Sequence, residues 1–540
     1  MWHWPAVRRG PLLALGGWLL LVLLLGPWLL LAGLALLLVP RVRWWLRPER
    51  PWRVVGAVAA TTLVVTGLVV VIPDGWLPIP PGTGLLTTPS YVGRAATPAP
   101  VTGYAVPGHP GLARNGTSSM HNDAWASDSY PWSGPLGDRV EVDTAWYGIE
   151  ECATLAFDDH ARLVALCGDL RGPSLHVIDP DSLHKLASRE LPGRPDGGGT
   201  PAWKNLCAGA YFYLDDDARA VVATTDRRIL VVRTATAEGD PVLAEVDAFD
   251  LTEAVPADDC LLALMPDPDG RIWFVTLGGL VGALDPRSER IRTLDLEEEI
   301  VNSFAVDEDG GVFVVSDHAL HRLDLGPGGA PRVTWRAAYD RGEETKPGQL
   351  SRGSGTTPTL LADGMVAITD NAEPRMHVVF LHRASGREIC RAPVFDDEHS
   401  ATENSLVGLG RGVVVENNHG YNGPQSTLLG RATSPGLARV DVVDGACRVR
   451  WTSDQIAPNA VPKVSLANGL LYTYTKLPSW WGTSAWYLTT IDVRTGRRVF
   501  SVRTGTGLLA NNHYAAITLS PDGAVYIATL AGMVRVRDRR

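Results

Sequence analysis

From about residue 150 to the end of the chain, apolar and polar positions alternate in short runs that recur as units. Each unit opens with an apolar strand, breaks at a turn and resumes as a second strand. It then runs into a third strand that ends on Leu-Asp or a close variant, as in Leu175-His176-Val177-Ile178-Asp179 and Leu488-Thr489-Thr490-Ile491-Asp492. The turns after the first strands read Asp269-Gly270, Asp309-Gly310, Asp363-Gly364, Asn468-Gly469 and Asp522-Gly523, with weaker copies at Asp158-Asp159, Asp216-Asp217 and Arg411-Gly412. Asp-Gly and Asn-Gly suit two-residue hairpins, in which both central residues need positive φ. A fourth strand follows, as in Thr495-Gly496-Arg497-Arg498-Val499-Phe500. Four strands per unit, with roughly 50 residues between units, predict an all-β chain folded as an eight-bladed β-propeller over residues 138–540. The last copy stops after its third strand. Residues 138–146, where Val140 and Val142 alternate with polar positions, are expected to supply the missing strand and so remove an open sheet edge.

A different pattern fills the N-terminus. Residues 11–39 and 54–72 are two uncharged apolar runs, each long enough for a membrane-spanning helix of roughly 20 residues. Residues 1–73 therefore read as an anchor with two transmembrane helices, the first kinked at Gly26-Pro27. Between the runs stand Arg41, Arg43, Arg47, Arg50 and Arg53, opposed only by Glu49 and flanked by Trp44, Trp45 and Trp52. A short Arg-rich loop stays in the cytoplasm, so everything after residue 73 is expected outside. Arg8 and Arg9 argue the opposite way for the N-terminus. Residues 74–137 are a Pro/Gly-rich linker, expected to hold the propeller off the membrane, and a capping segment.

The third strands with their following turn and Trp- or β-rich strand (residues 323–335, 440–451 and 491–500) resemble the PQQ-like, quinoprotein-type propeller superfamily over residues 138–540. That resemblance implies the fold. Quinoprotein alcohol dehydrogenases of this type hold PQQ against a disulfide between adjacent cysteines. No two cysteines are adjacent here and the repeat tryptophan is missing from some copies, which departs from that pattern.

In a propeller the first-strand starts and second-strand ends converge on one face. Here they carry Asn302, Asn371, Glu403, Asn404, Glu416, Asn417 and Asn511. Hard oxygen donors on one face suit calcium. In residue type the set resembles the channel site of calcium-dependent propeller lactonases such as gluconolactonases and paraoxonases. Asn and Asp also occur at strand ends because their side chains bond local backbone. In residues 115–137, His121 with Asp123 is a candidate base and orienter. The same segment also reads as a plug in which Trp125, Tyr130 and Trp132 seal one end of the propeller.

Composition narrows the function. Residues 1–53 hold seven Arg and one Glu, so of the net charge of −10 the remainder carries −16. An acidic domain excludes nucleic acid as a partner. Six cysteines, all after the apolar runs, point to disulfides in an oxidising compartment. Cys152 with Cys167 and Cys207 with Cys260 are the expected pairs. Cys390 and Cys447 lie in fourth strands on the rim, where neighbouring blades diverge, and are expected to stand too far apart. No GxSxG, HExxH or Rossmann fingerprint occurs. The leading reading is a binding module for a small polar ligand, glycan or protein partner at the channel mouth. A metal-dependent lactonase or esterase, and more distantly a quinoprotein dehydrogenase, are the alternatives.

Overall fold

The structure is a computed structural model that describes residues 9–47, 51–194, 205–207 and 210–539. Eight sheets form the propeller, each built on four antiparallel strands in meander order; that of the seventh blade gains Tyr91–Gly93 on its outer side and the parallel Ser129–Tyr130 on its inner side. The third strand of the first blade, Pro173–Ile178, is buried throughout, whereas its fourth, Lys185–Glu190, alternates half-buried with exposed. This is the pattern of a rim strand with one face in water. Val140–Trp146 pairs with Gly532–Asp538 over its full length, from Val140↔Asp538 to Trp146↔Gly532, and supplies the fourth strand of the eighth blade as expected.

Most of the first turns are longer than two residues, although Gly410-Arg411 of the sixth blade is a two-residue hairpin between Val407–Leu409 and Gly412–Glu416. In the third blade Leu261–Pro266 and Ile272–Thr276 are joined by five residues, and of the Asp269-Gly270 pair only Gly270 has positive φ. The Asp that opens the loop sets the turn: Asp267 Oδ1 accepts from the amides of Asp269 and Arg271. Asp158 and Asp215 repeat this device. The Asp side chain thus mimics a backbone turn.

All three disulfides form. Cys152–Cys167 and Cys207–Cys260 pair as expected. Cys390–Cys447 is a correction, with Cα atoms 5.5 Å apart. Glu388–Pro393 and Ala446–Ser453, the outer strands of the fifth and sixth blades, lie side by side at these cysteines instead of diverging.

Residues 79–106 run along the propeller and do not project as a spacer. Tyr91–Gly93 adds a strand outside Arg498–Thr506 of the seventh blade. The Ala99 and Val101 amides then bond the carbonyls of Asn468 and Leu466. An extended Pro/Gly-rich chain has free backbone groups, and here a sheet edge satisfies them.

The apolar run 11–39 also differs from a single kinked span. It folds into α1 (Arg9–Leu25) and α2 (Trp28–Leu36), broken at Gly26-Pro27. Trp18 packs on Gly33, and Trp45 on Gly10, so the segment doubles back as a hairpin. α3 (Pro40–Leu46) and α4 (Pro51–Val71) follow. Among the described residues no single helix is long and apolar enough to cross a membrane, although α2 and α3, bent by 95°, pass that test as a pair. Arg8, Glu49 and Arg50 lie outside the described residues.

Candidate functional site

The channel is closed at its turn end by residues 115–132. This segment bonds the ends of successive first strands. Thr117 Oγ1 accepts from the Phe157 amide, and the Ala124 and Trp125 carbonyls accept from Val306 and Leu360. The Ser127 and Asp128 carbonyls accept from Gly408 and Val464. Trp125 and Tyr130 are buried and Trp132 donates to the Leu519 carbonyl. The segment is thus a plug, as one of the two readings of the sequence had it.

Above the plug a cavity of about 370 Å³ opens toward the starts of the first strands. His121, on the plug, forms part of its floor. Its Nδ1 lies 3.3 Å from both carboxylate oxygens of Asp128, and its Nε2 lies 3.2 Å from Thr357 Oγ1 and 3.4 Å from Ser405 Oγ. Asp128 in turn contacts the Lys463 ammonium, which also donates to the Met120 carbonyl. Neither Asp128 nor Lys463 is exposed. Burial holds the lysine below its ordinary range, against the pull of Asp128. The partner of His121 is therefore Asp128, and Asp123 serves elsewhere. Asp123 accepts from the amides of Trp125 and Ser127 and from the Ser127 hydroxyl, holding the loop in shape, and burial pushes its carboxyl up to about 7.

The seven oxygen-donor candidates separate into groups. Asn302, Glu403 and Asn404 line the cavity. Glu403 Oε2 accepts from the Leu350 amide, and Asn302 donates to the Ser354 carbonyl. Asn404 donates to Glu416 and to the Ala460 carbonyl, and its own Oδ1 has no partner. Glu416 sits behind the wall, bonded by Asn404 and Thr473, and burial pushes its carboxyl up to about 8. A carboxyl that stays protonated near neutral pH is a poor calcium ligand. Asn511 holds Asn459, Tyr421 and Thr427 together behind the same wall. Asn371 and Asn417 bond backbone groups, among them the carbonyls of Arg341 and Glu344 and those of His399 and Pro435. Among the described residues no group of three or more His, Cys, Asp or Glu side chains is arranged to hold a metal.

Sequence reasoning missed several residues of the site. Glu151, half-buried in the cavity wall, is held well above the carboxylate range by burial, and its Oε1 has no partner. Tyr211 and Tyr514 line the same space. Lys463 carried a visible signal: lysine is rare in this chain, and this one opens a first strand, Lys463–Ser465, that is buried throughout.

No protein-family model matches the chain. An uncharacterized protein of Archaeoglobus fulgidus is 30% identical over 329 residues, a match that covers 53% of this chain and 63% of that protein. The chain thus spans a little under two thirds of that relative. Quinohemoprotein alcohol dehydrogenase from Comamonas testosteroni superposes with a TM-score of 0.50 at 10% identity, over 79% of this chain and 82% of that chain. The C-terminal WD40 domain of Sif2 superposes at 0.45 with 9% identity, over 73% and 98%. The likeness to the dehydrogenase is of fold alone, and folds of this kind host unrelated chemistries. The residues here do not fit PQQ held as in the quinoprotein dehydrogenases. The cysteines pair at separations of 15, 53 and 57 residues, so no disulfide joins neighbours.

Proposed function

We propose that this protein is a membrane-anchored, extracytoplasmic β-propeller that binds a small polar ligand in its channel cavity. The observation that carries this reading is the cavity itself. It is closed below by a hydrogen-bonded polar floor and walled by Glu151, Asn302 and Glu403. Convergent polar groups in a preformed concave site are the usual make-up of a ligand pocket. Three disulfides suit an oxidising compartment. The hairpin of α1 and α2 supports the anchor in a way the sequence could not. By doubling back, it brings the Arg9 end close to Trp45 beside Arg43, so both Arg-bearing ends lie on one side. The conflict between Arg9 and the Arg-rich loop then disappears.

The test of the anchor is a pair of topology reporters. One fused at residue 47 should read as cytoplasmic and one at residue 540 as external; a C-terminal reporter that is silent outside would sink the reading. The test of the site is a ligand screen by thermal shift on the detergent-purified full chain. A hit should lose its shift in Asn302→Ala and keep it in Asp309→Asn, on the plugged face.

Glu151 favours a second reading, hydrolysis of a lactone or ester. A cavity carboxyl held protonated can donate to a leaving group. Turnover of a lactone or ester panel that vanishes in Glu151→Gln would establish it, and a panel with no turnover would remove it.

A further inference from the structure

We propose that the cavity takes its ligand from the membrane: the open face of the propeller rests on the bilayer surface, and the ligand is an amphiphile whose polar head enters first. This rests on the anchored-binder reading above and adds where the ligand comes from. Three observations carry it.

The first is the place where the apolar helices meet the propeller. The break between α1 and α2 sits on the loop between the second and third strands of the seventh blade: Trp28 Nε1 donates to the Trp480 carbonyl at 2.8 Å, and Gly26 approaches Trp481. The amide of Gly84 bonds the Leu23 carbonyl at 2.7 Å. In a meander blade, loops between second and third strands lie at the same end as the first-strand starts, which is the open end of the cavity.

The second is the distribution of exposed apolar side chains. Trp480, 97% exposed, Trp481, Leu477 and Leu429 surround the helix contact. Every large hydrophobic residue exposed on the loops that join the blade strands, among the described residues, is on open-end loops; near the plugged end the exposed ones, Val443 and Leu186 among them, belong to strands. An apolar patch of this kind marks an interaction surface, and tryptophans favour the headgroup layer. Continuity with the exposed leucines of α1 and α2 commits this patch to lipid.

The third is the polarity of the cavity. Ile149, Leu170 and Leu508 form its exposed entrance, while His121 and Asn302 lie buried further in. An apolar rim above a polar interior matches a molecule with an apolar tail and a polar head.

All six cysteines are in disulfides, so an added cysteine is the sole free thiol. The full chain, reconstituted in phosphatidylcholine–phosphatidylglycerol nanodiscs, would carry an environment-sensitive fluorophore at position 480, 170 or 309. Phospholipid bearing a nitroxide near the carbonyl should quench positions 480 and 170 at least threefold more than 309. Equal quenching at all three, with the protein still membrane-bound, overturns the docking. Release of the full chain from vesicles by alkaline carbonate instead overturns the anchor, a failure separately recognisable. A fourth label at position 206, in the cavity wall, asks about the ligand, with position 350 as its substitute if labelling there disturbs folding. Headgroup-nitroxide phospholipid should quench it more than an equal amount of water-soluble nitroxide; the reverse order assigns the cavity to soluble ligands and overturns the proposal.

Discussion

At the plugged end of the channel Asp128 and Lys463 bond one another with no exposure, and His121 leans on them from above. At the open end Glu151, Asn302 and Glu403 border a cavity, and Glu151 Oε1 and Asn404 Oδ1 have no partner. The charged groups of the plug thus find partners in one another, whereas at the open end the Glu151 carboxyl leaves an oxygen unmet; of the plug's neutral groups, Ser119 Oγ and Asn122 Oδ1 also lack partners. Buried polar atoms are normally bonded. The difference separates structural from functional polarity more sharply than residue type does, since both ends are built from carboxylates, amides and histidines. Substitutions that remove one group at each end should separate the two roles.

The largest effect is expected at the plug. Asp128→Ala leaves the Lys463 ammonium buried without its counter-charge, and breaking a buried pair costs about 3–5 kcal/mol. Urea unfolding of the full chain in detergent would measure it. Lys463→Met combined with Asp128→Ala should recover much of the loss, because neither charge is then stranded. A loss below about 1 kcal/mol for Asp128→Ala would show that the plug is not structural.

Next in size is the rim. Removing Cys390–Cys447 with two serines should cost roughly 2–4 kcal/mol, as expected for a loop closed over 57 residues. The cavity lies far inside this strand pair, so the site should be untouched. Loss of ligand response with unchanged stability would contradict that separation.

Glu416 lies between the two ends in kind, buried like the plug but placed beside the cavity wall. Its carboxyl, ordinarily near 4.5, is raised to about 8 in the fold. The folded state then holds a proton that the unfolded state releases, so stability falls as pH rises from about 4.5 to about 8. Asp123, raised to about 7, acts in the same direction. Glu150 acts oppositely. Burial pushes it up, but hydrogen bonds and charge from His176 and Lys185 prevail and hold it near 2, so its contribution is lost in acid as pH drops from about 4.5 toward 2. For these three groups the greatest stability should therefore fall near pH 4. Glu416→Gln should be close to neutral at pH 4 and, at ~1.4 kcal/mol per pKa unit, stabilising by roughly 3–4 kcal/mol at pH 8. A melting temperature with the same pH slope in both proteins would refute the assignment.

The propeller was legible in the sequence because period-2 patterning and Asp-Gly punctuation are local signals. The closing strand Val140–Trp146 followed from a count of strands per unit. The turn type was misread because the Asp that fixes it, Asp267 or Asp158, stands ahead of the Asp-Gly pair. The site was only partly legible. Strand-end position found Asn302, Glu403 and Asn404, but the same rule also picked Asn371 and Asn417, whose amides bond backbone. Local pattern cannot say whether an Asn side chain turns toward the channel or back to its own loop. Asp128 and Lys463 are 335 residues apart, and only the path of the plug brings them together.

The smallest effect is expected at the open end, and it is the one that gives the comparison its meaning. Glu403 is half-buried, its Oε2 accepts from the Leu350 amide, and it faces the cavity. Glu403→Gln keeps an acceptor for that amide and nearly the same shape, while the carboxylate charge is removed. The group borders the cavity rather than the sealed interior of the plug. Near-isosteric substitutions that open no cavity and remove no cap usually fall within about 0.5 kcal/mol, and that is the expected change in unfolding free energy. The ligand response should change nonetheless, because a charge in a narrow, partly desolvated site acts through a lower effective dielectric than at an open surface. The same substitution logic applied to Asp128 removes a charge that has a buried partner, and the cost there is several-fold larger. If Glu403→Gln cost more than about 1.5 kcal/mol, Glu403 would belong with Asp128 among the groups that hold the fold, and the cavity would lose the residue that marks it most clearly as a site for a ligand.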